Sequence, residues 1–393
     1  MNKKNNYSII YPVIFILLSI NSSVFGAPGE KEKSKSGFEF TIIKNIRTTS
    51  VKDQGFTATC WSFGTISFIE TELIRYGKGD IDLSEMFIVR YTYPSKTRNY
   101  VRMHGETVFG PGSLAHDVIN VIREFGIVPE EIYKGRYLKD KRLNHIEMDA
   151  VLRGAIDGIV KNDNGKISNV WPNAIDSILD AYLGKHPENF IYNGKTYTPK
   201  IFLKECAIDP DDYIEITSYT HHPFYSRFIL EIPDNWSLGK FYNLPINDFI
   251  LVINYAIENG YSVCWEGDTS EKSFNLKKGI AILPLKDWYD RTEAEKDSIC
   301  NSPETEKKVT QELRQELFNN YASEDNHIMH IIGIAKDQNN TGYYIAKDSR
   351  GTKDKKHSGF IYMSESYILA KTISVMINKY GLPKNLIKKL AIK

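Results

Sequence analysis

Gln54-Gly55-Phe56-Thr57-Ala58-Thr59-Cys60-Trp61-Ser62-Phe63 is the stretch on which the reading of this chain turns. Beyond it, Phe63, Ile66, Ile69 and Leu73 recur at three- and four-residue spacing until Gly77-Lys78-Gly79-Asp80 interrupts them, which predicts a helix beginning at Cys60. A thiol at that position meets the positive end of the helix dipole, which favours the nucleophilic thiolate. Many small core cysteines would satisfy that description. Gln54 adds what they lack: six residues upstream, its side-chain amide can reach the point faced by the Cys60 N–H, and two convergent donors stabilise an oxyanion.

Working outward, a second helix is expected from about Ser84 and a third from about Ser113 to Glu124, closed by Gly126 with Pro129 beyond. Residues 135–215 mix polar turns with the amphipathic stretch Ile175 to Leu183 and read as an insertion. In the last third, residues 330–334, 343–346 and 359–363 are short apolar runs separated by turns, an antiparallel strand array. Helices first and strands later predict an α+β fold over residues 38–393.

Composition narrows the partners. With 41% apolar and 25% charged residues the chain is neither disordered nor fibrous, and 50 basic against 49 acidic residues remove the electrostatic argument for nucleic acid. Lys3 and Lys4 precede an apolar run from Ile9 to Ile20, followed by the small-residue end at Gly26. This pattern predicts a signal peptide over residues 1–26, a flexible leader over 27–37, and export to a periplasmic or extracellular space. The run is shorter than the roughly 20 residues that span a bilayer, so stable membrane insertion is not expected. Cys60, Cys206, Cys264 and Cys300 are sparse for an exported chain, and at most one disulfide is expected, without Cys60. His221-His222-Pro223 reads as a loop pair, because no carboxylate or thiol stands at ligand spacing, and no metal or cofactor is expected.

The segment from Gln54 to Phe63 resembles the papain-like cysteine peptidases, whose Gln-Gly…Cys-Trp-x-Phe motif matches Gln54, Gly55, Cys60, Trp61 and Phe63; Leu83-Ser84-Glu85 matches the family's next landmark. Asp325-Asn326-His327-Ile328-Met329-His330-Ile331-Ile332-Gly333 resembles the family's histidine strand and selects His327. Alternation along a strand places His330 on the opposite face. Tyr344 to Gly351 is similar to the Lys-Asn-Ser-Trp-Gly strand, with Asp348 in place of the asparagine and Arg350 in place of the tryptophan. The resemblance implies a helical half and a strand-rich half with a cleft between them. Cys60 is then the nucleophile, His327 the proton carrier, Asp348 its orienting partner and Gln54 an oxyanion donor. Aspartate can orient the imidazole and favours its protonated form, whereas Arg350 is expected to compete for the carboxylate.

His327 lies 267 residues after Cys60, against roughly 130–150 in the ordinary layout, and Thr57 stands where papain-type enzymes carry an extra cysteine. Both features resemble the bleomycin hydrolase and aminopeptidase C branch, as do 84–90, 125–131 and 181–185. That branch implies peptide substrates, removal of N-terminal residues and a homo-oligomeric, hexameric shell. Its substrate contacts map to Trp61, to Gly112 and Ser113, where the branch has a glycine pair, and to the carboxylate of Lys393 on an arm over 381–393. Pro383, Leu386, Ile387 and Leu390 equally suit a short helix docked outside the cleft. Two other functions stay open: a catalytically weak peptide-binding relative and an endopeptidase.

Overall fold

The computed structural model describes residues 37–135, 142–163 and 165–392; the expected signal peptide, nearly all of the leader, and Lys393 lie outside the described residues. Strand β1 (Thr41–Asn45) leads into α1 (Cys60–Arg75), α2 (Glu85–Arg102), α3 (Ala115–Phe125), α4 (Ile146–Val160) and α5 (Trp171–Leu183). A hairpin of β2 (Phe190–Tyr192) and β3 (Lys195–Tyr197) precedes α6 (Pro199–Cys206). Then come β4 (Tyr213–Thr217), β5 (Arg227–Ile229), β6 (Lys240–Asn243), α7 (Ile246–Glu258), β7 (Val263–Gly267), β8 (Phe274–Asn275), β9 (Ile280–Ala281), α8 (Glu293–Asp297) and α9 (Gln311–Asn319). The chain closes with β10 (His327–Lys336), β11 (Gly342–Lys347), β12 (Phe360–Ser364), α10 (Glu365–Lys371), β13 (Thr372–Asn378) and α11 (Lys384–Lys389).

The helix ends follow local chemistry. Ser84 caps α2 by accepting the Phe87 N–H at 3.0 Å, and Gly126, at φ 89°, ends α3. At the start of α3, Leu114 holds the N-cap position, and the Asp117 carboxylate accepts both the Leu114 N–H and the Ser113 hydroxyl. Residues 135–215 supply α4, α5 and α6, whose buried Leu152, Ile156, Ile175, Leu179 and Phe202 join the same core as α1 and α2.

The long sheet runs β5-β6-β4-β13-β7-β10-β11-β12-β9-β8, with β1 added to β10. It is mixed: β4 with β6 and β9 with β12 pair in parallel, the other pairs antiparallel. One sheet face meets the helical core through Ile328, Cys264 and Met376, while the other, with Trp265, Met329 and Ile331, packs on α7 and α11. The two bodies meet where α1 crosses β10. A Cβ at Gly64 would stand 2.7 Å from Ile328 Cγ2 and 3.0 Å from its carbonyl oxygen, so only glycine permits this approach. That contact sets the start of α1 beside the start of β10.

Leu382, Leu386 and Leu390 are buried in the sheet-side core, and Ile392 lines a cavity with His116, Tyr213 and Lys379. Through Ile392 the C-terminal segment is therefore a docked helix and its continuation. All four cysteines are free; burial holds the thiols of Cys206, Cys264 and Cys300 above their usual range. No helix among the described residues is long and apolar enough to cross a membrane.

Candidate active site

Cys60 is the first residue of α1, so its N–H has no partner within the helix, and its side chain is partly exposed. The thiol shares the cleft with the His327 imidazole, and His327 and the Ile328 N–H both act on it to favour the thiolate. Burial pushes it up, but the His327 charge and the neighbouring His327 and Ile328 groups more than offset that, and the thiol is lowered from its ordinary value. His327, at the start of β10, is 3% exposed, and its Nε2 lies 2.7 Å from Asp348 Oδ1, which leaves Nδ1 for the thiol. Burial disfavours the imidazolium, yet the Cys60 thiolate and the Asp348 hydrogen bond raise it above the usual histidine value. Asp348 is itself held well below the usual carboxylate range: burial opposes ionisation, but the His327 hydrogen bond and charge prevail. These directions are those of a thiolate–imidazolium pair anchored by a carboxylate.

Arg350 does not compete for Asp348 as expected. Among the described residues its guanidinium makes no ion pair with Asp348; only its backbone N–H reaches Oδ2, at 3.2 Å. The cation at Oδ2 is Lys355, at 3.5 Å, held in place by the carbonyls of Arg350 and Gly351. Oδ1 stays with His327.

Gln54 is fixed from the far end of the chain. Ser349 donates its hydroxyl to Gln54 Oε1 at 2.6 Å and its carbonyl accepts the Gln54 N–H at 2.8 Å, so the side-chain Nε2 remains as donor to the cleft that Gln54 lines. Gln54, Cys60, Trp61, Gly112, Ser113 and His327 all border one cleft of about 340 Å³. Asp348 stands behind His327 and outside that lining. Trp61 is 1% exposed and acts on the loop beyond it, its indole N–H donating to the Pro111 carbonyl at 2.8 Å. Gly112 lies so close to Asp234 that a Cβ there would fall 2.0 Å from Oδ2. The Ser113 hydroxyl is taken up between Asp117 and the Trp236 indole.

His330 faces α1, with Nδ1 2.9 Å from the Ser67 hydroxyl, and takes no part in the cleft. At His221 and His222 the expected lack of a carboxylate is corrected by folding: Glu231 comes within 3.2 Å and 2.7 Å of the two Nε2 atoms, and the three residues stand close enough to share a cation. The spacing concealed this because Glu231 arrives from beyond β5. Sequence reading also missed Ser349, Lys355 and three cleft carboxylates, Asp234, Glu266 and Asp325; of these only Ser349, inside the quoted Asp348-Ser349-Arg350 run, and Asp325, two residues before His327, carried a local signal.

The chain belongs to the Peptidase C1-like family, whose profile matches residues 110–393. Its fold is papain-like, α+β. It is similar to the solved PepW from Lactobacillus rhamnosis HN001, at 19% identity over 89% of this chain and 84% of that one, with a TM-score of 0.68. Weaker likenesses are a structure concerning the mite allergens Blo t 1 and Der p 1 (14% identity, 89% and 74% coverage, TM-score 0.43) and procathepsin L 3 of the Tenebrio molitor larval midgut (13%, 84% and 68%, TM-score 0.37). No curated protein sequence matches the chain. The profile match begins beyond Gln54 and Cys60, so for that half of the site the geometry speaks alone.

Proposed function

We propose that this papain-like peptidase is a thiol aminopeptidase of the bleomycin hydrolase type. The observation that carries the catalytic reading is that Cys60 and His327 border one cleft, with His327 hydrogen-bonded to Asp348 behind it and the Gln54 amide turned to the same cleft. The Cys60 thiolate attacks the scissile carbonyl carbon, and the resulting oxyanion accepts from the Cys60 N–H and Gln54 Nε2. His327 gives its proton to the departing amine, leaving a thioester, and then takes a proton from the water that hydrolyses it. Asp348 keeps the imidazole oriented throughout. Residues 1–26 are proposed to direct export, and a homo-oligomer is the proposed assembly.

Exopeptidase action is supported by the branch resemblance in the sequence. An endopeptidase reading is favoured by one observation, the docking of Leu386 and Leu390 on the sheet-side core instead of along the cleft. Free-amino and N-blocked fluorogenic peptides, tested under reducing conditions with Cys60→Ala as control, separate the two. Turnover of free-amino peptides that the mutant lacks supports the aminopeptidase; equal or better turnover of blocked peptides supports the endopeptidase; no turnover by folded protein supports a peptide-binding relative.

Asp348→Asn restores the residue usual in the family. The amide oxygen still accepts the imidazole hydrogen bond but supplies no charge, so the imidazolium is less favoured. The alkaline limb of kcat/KM, which reports loss of the His327 proton, is expected to move to lower pH by about one unit. A limb that stays in place or moves upward in a pH–rate profile refutes the ion-pair role of Asp348.

A further inference from the structure

Beside His327 the cleft wall is acidic. Asp234 follows β5, Glu266 lies in β7 and Asp325 stands two residues before β10, and all three border the cavity that Cys60 and His327 border. Glu266 is 2% exposed; its Oε2 accepts the Ser374 hydroxyl, while its Oε1 has no hydrogen-bond partner. Asp325 Oδ2 is likewise buried and unpartnered. Among the described residues no lysine or arginine comes within 4.0 Å of any of the three carboxylates.

The charges behind this wall do not satisfy it. His116 is paired with Glu215 at 2.7 Å, and the Lys96 ammonium donates to the Gly112 carbonyl. Burial and neighbouring carboxylates push Glu266 well above the usual carboxylate range and Asp325 up to about 8. Buried carboxyl oxygens without partners are costly, and a space of about 340 Å³ opens in front of them. An ammonium, with its three donors, would complete them.

We propose that Asp234, Glu266 and Asp325 form a subsite for a cationic nitrogen of the peptide substrate, either the α-ammonium of its first residue or the side-chain cation of a lysine or arginine near the scissile bond. The proposal rests on the peptidase reading for its placement beside the scissile bond, but its test does not need turnover. Calorimetric titration of the full-length Cys60→Ala protein uses four matched peptides, with a free or acetylated N-terminus and with lysine or norleucine beside the cleavage point.

The cation-bearing peptides are expected to bind more tightly than the acetyl-norleucine peptide, and that preference is expected to fall about 30-fold or more when Glu266→Gln or Asp325→Asn is added. Dependence on the free N-terminus identifies the α-ammonium, and dependence on lysine identifies the side chain. Asp325→Asn, nearer the surface, keeps the test open if Glu266→Gln does not fold. Equal affinity for all four peptides, or a preference unchanged in a folded double variant, overturns the subsite. Failure of the peptidase reading shows separately, as cation-selective binding without hydrolysis by the unsubstituted protein.

Discussion

Cys60→Ala and His327→Ala are each expected to lower kcat by about 10⁶-fold, and the double variant by no more than either alone, because the thiolate and the imidazolium form one unit and the loss of either disables both. The effect belongs on kcat. Peptide affinity should change little, since Gly112, Asp234 and the rest of the cleft wall stay in place. Burst kinetics should also vanish, because Cys60→Ala has no sulfur to acylate and His327→Ala leaves the thiol unactivated. Single-turnover rates for the three proteins, with circular dichroism to establish folding, decide the matter; additive losses would mean that the two residues act independently.

Gln54→Ala is expected to cost about 10² to 10³-fold in kcat with KM nearly unchanged, because the amide meets charge that exists only in the transition state. Ser349→Ala should reproduce part of that loss. It removes the hydroxyl that holds Gln54 Oε1, so the amide is free to rotate its oxygen toward the oxyanion, but it leaves the donor itself present. Steady-state kinetics on one good substrate check both. A rise in KM with constant kcat would show instead that Gln54 serves ground-state binding.

The catalytic groups were legible because their chemistry demands fixed residue types in local order: a glutamine six residues before a cysteine that opens a helix, and a histidine that opens an apolar strand. The supporting groups were not. Ser349 is 295 residues from Gln54, and Glu266 sits in a five-residue strand beside a buried tryptophan, where an apolar run reads equally well as helix or strand. Lys355, which takes the place expected of Arg350 at Asp348, is set by a turn whose two carbonyls grip its ammonium. The starts of α1, α2 and α3 and the ends of α1 and α3 lie within two residues of those expected, since caps are local. The sheet order, with β13 between β4 and β7, depends on pairings that no local pattern announces.

The meeting of α1 with β10 at Gly64 joins the first described helix to a strand that begins 267 residues after Cys60, and the tie from Gln54 to Ser349 reaches further still. A ribosome therefore finishes the nucleophile long before it finishes the group that activates it. Until residues near 349 have emerged and the sheet has closed, Cys60 is an ordinary thiol with no imidazolium beside it, and Gln54 has nothing to hold its amide. Partial chains should thus carry the reactive residue in a harmless form, and arming the enzyme becomes the last event of its folding, paced by the slow closure of distant contacts.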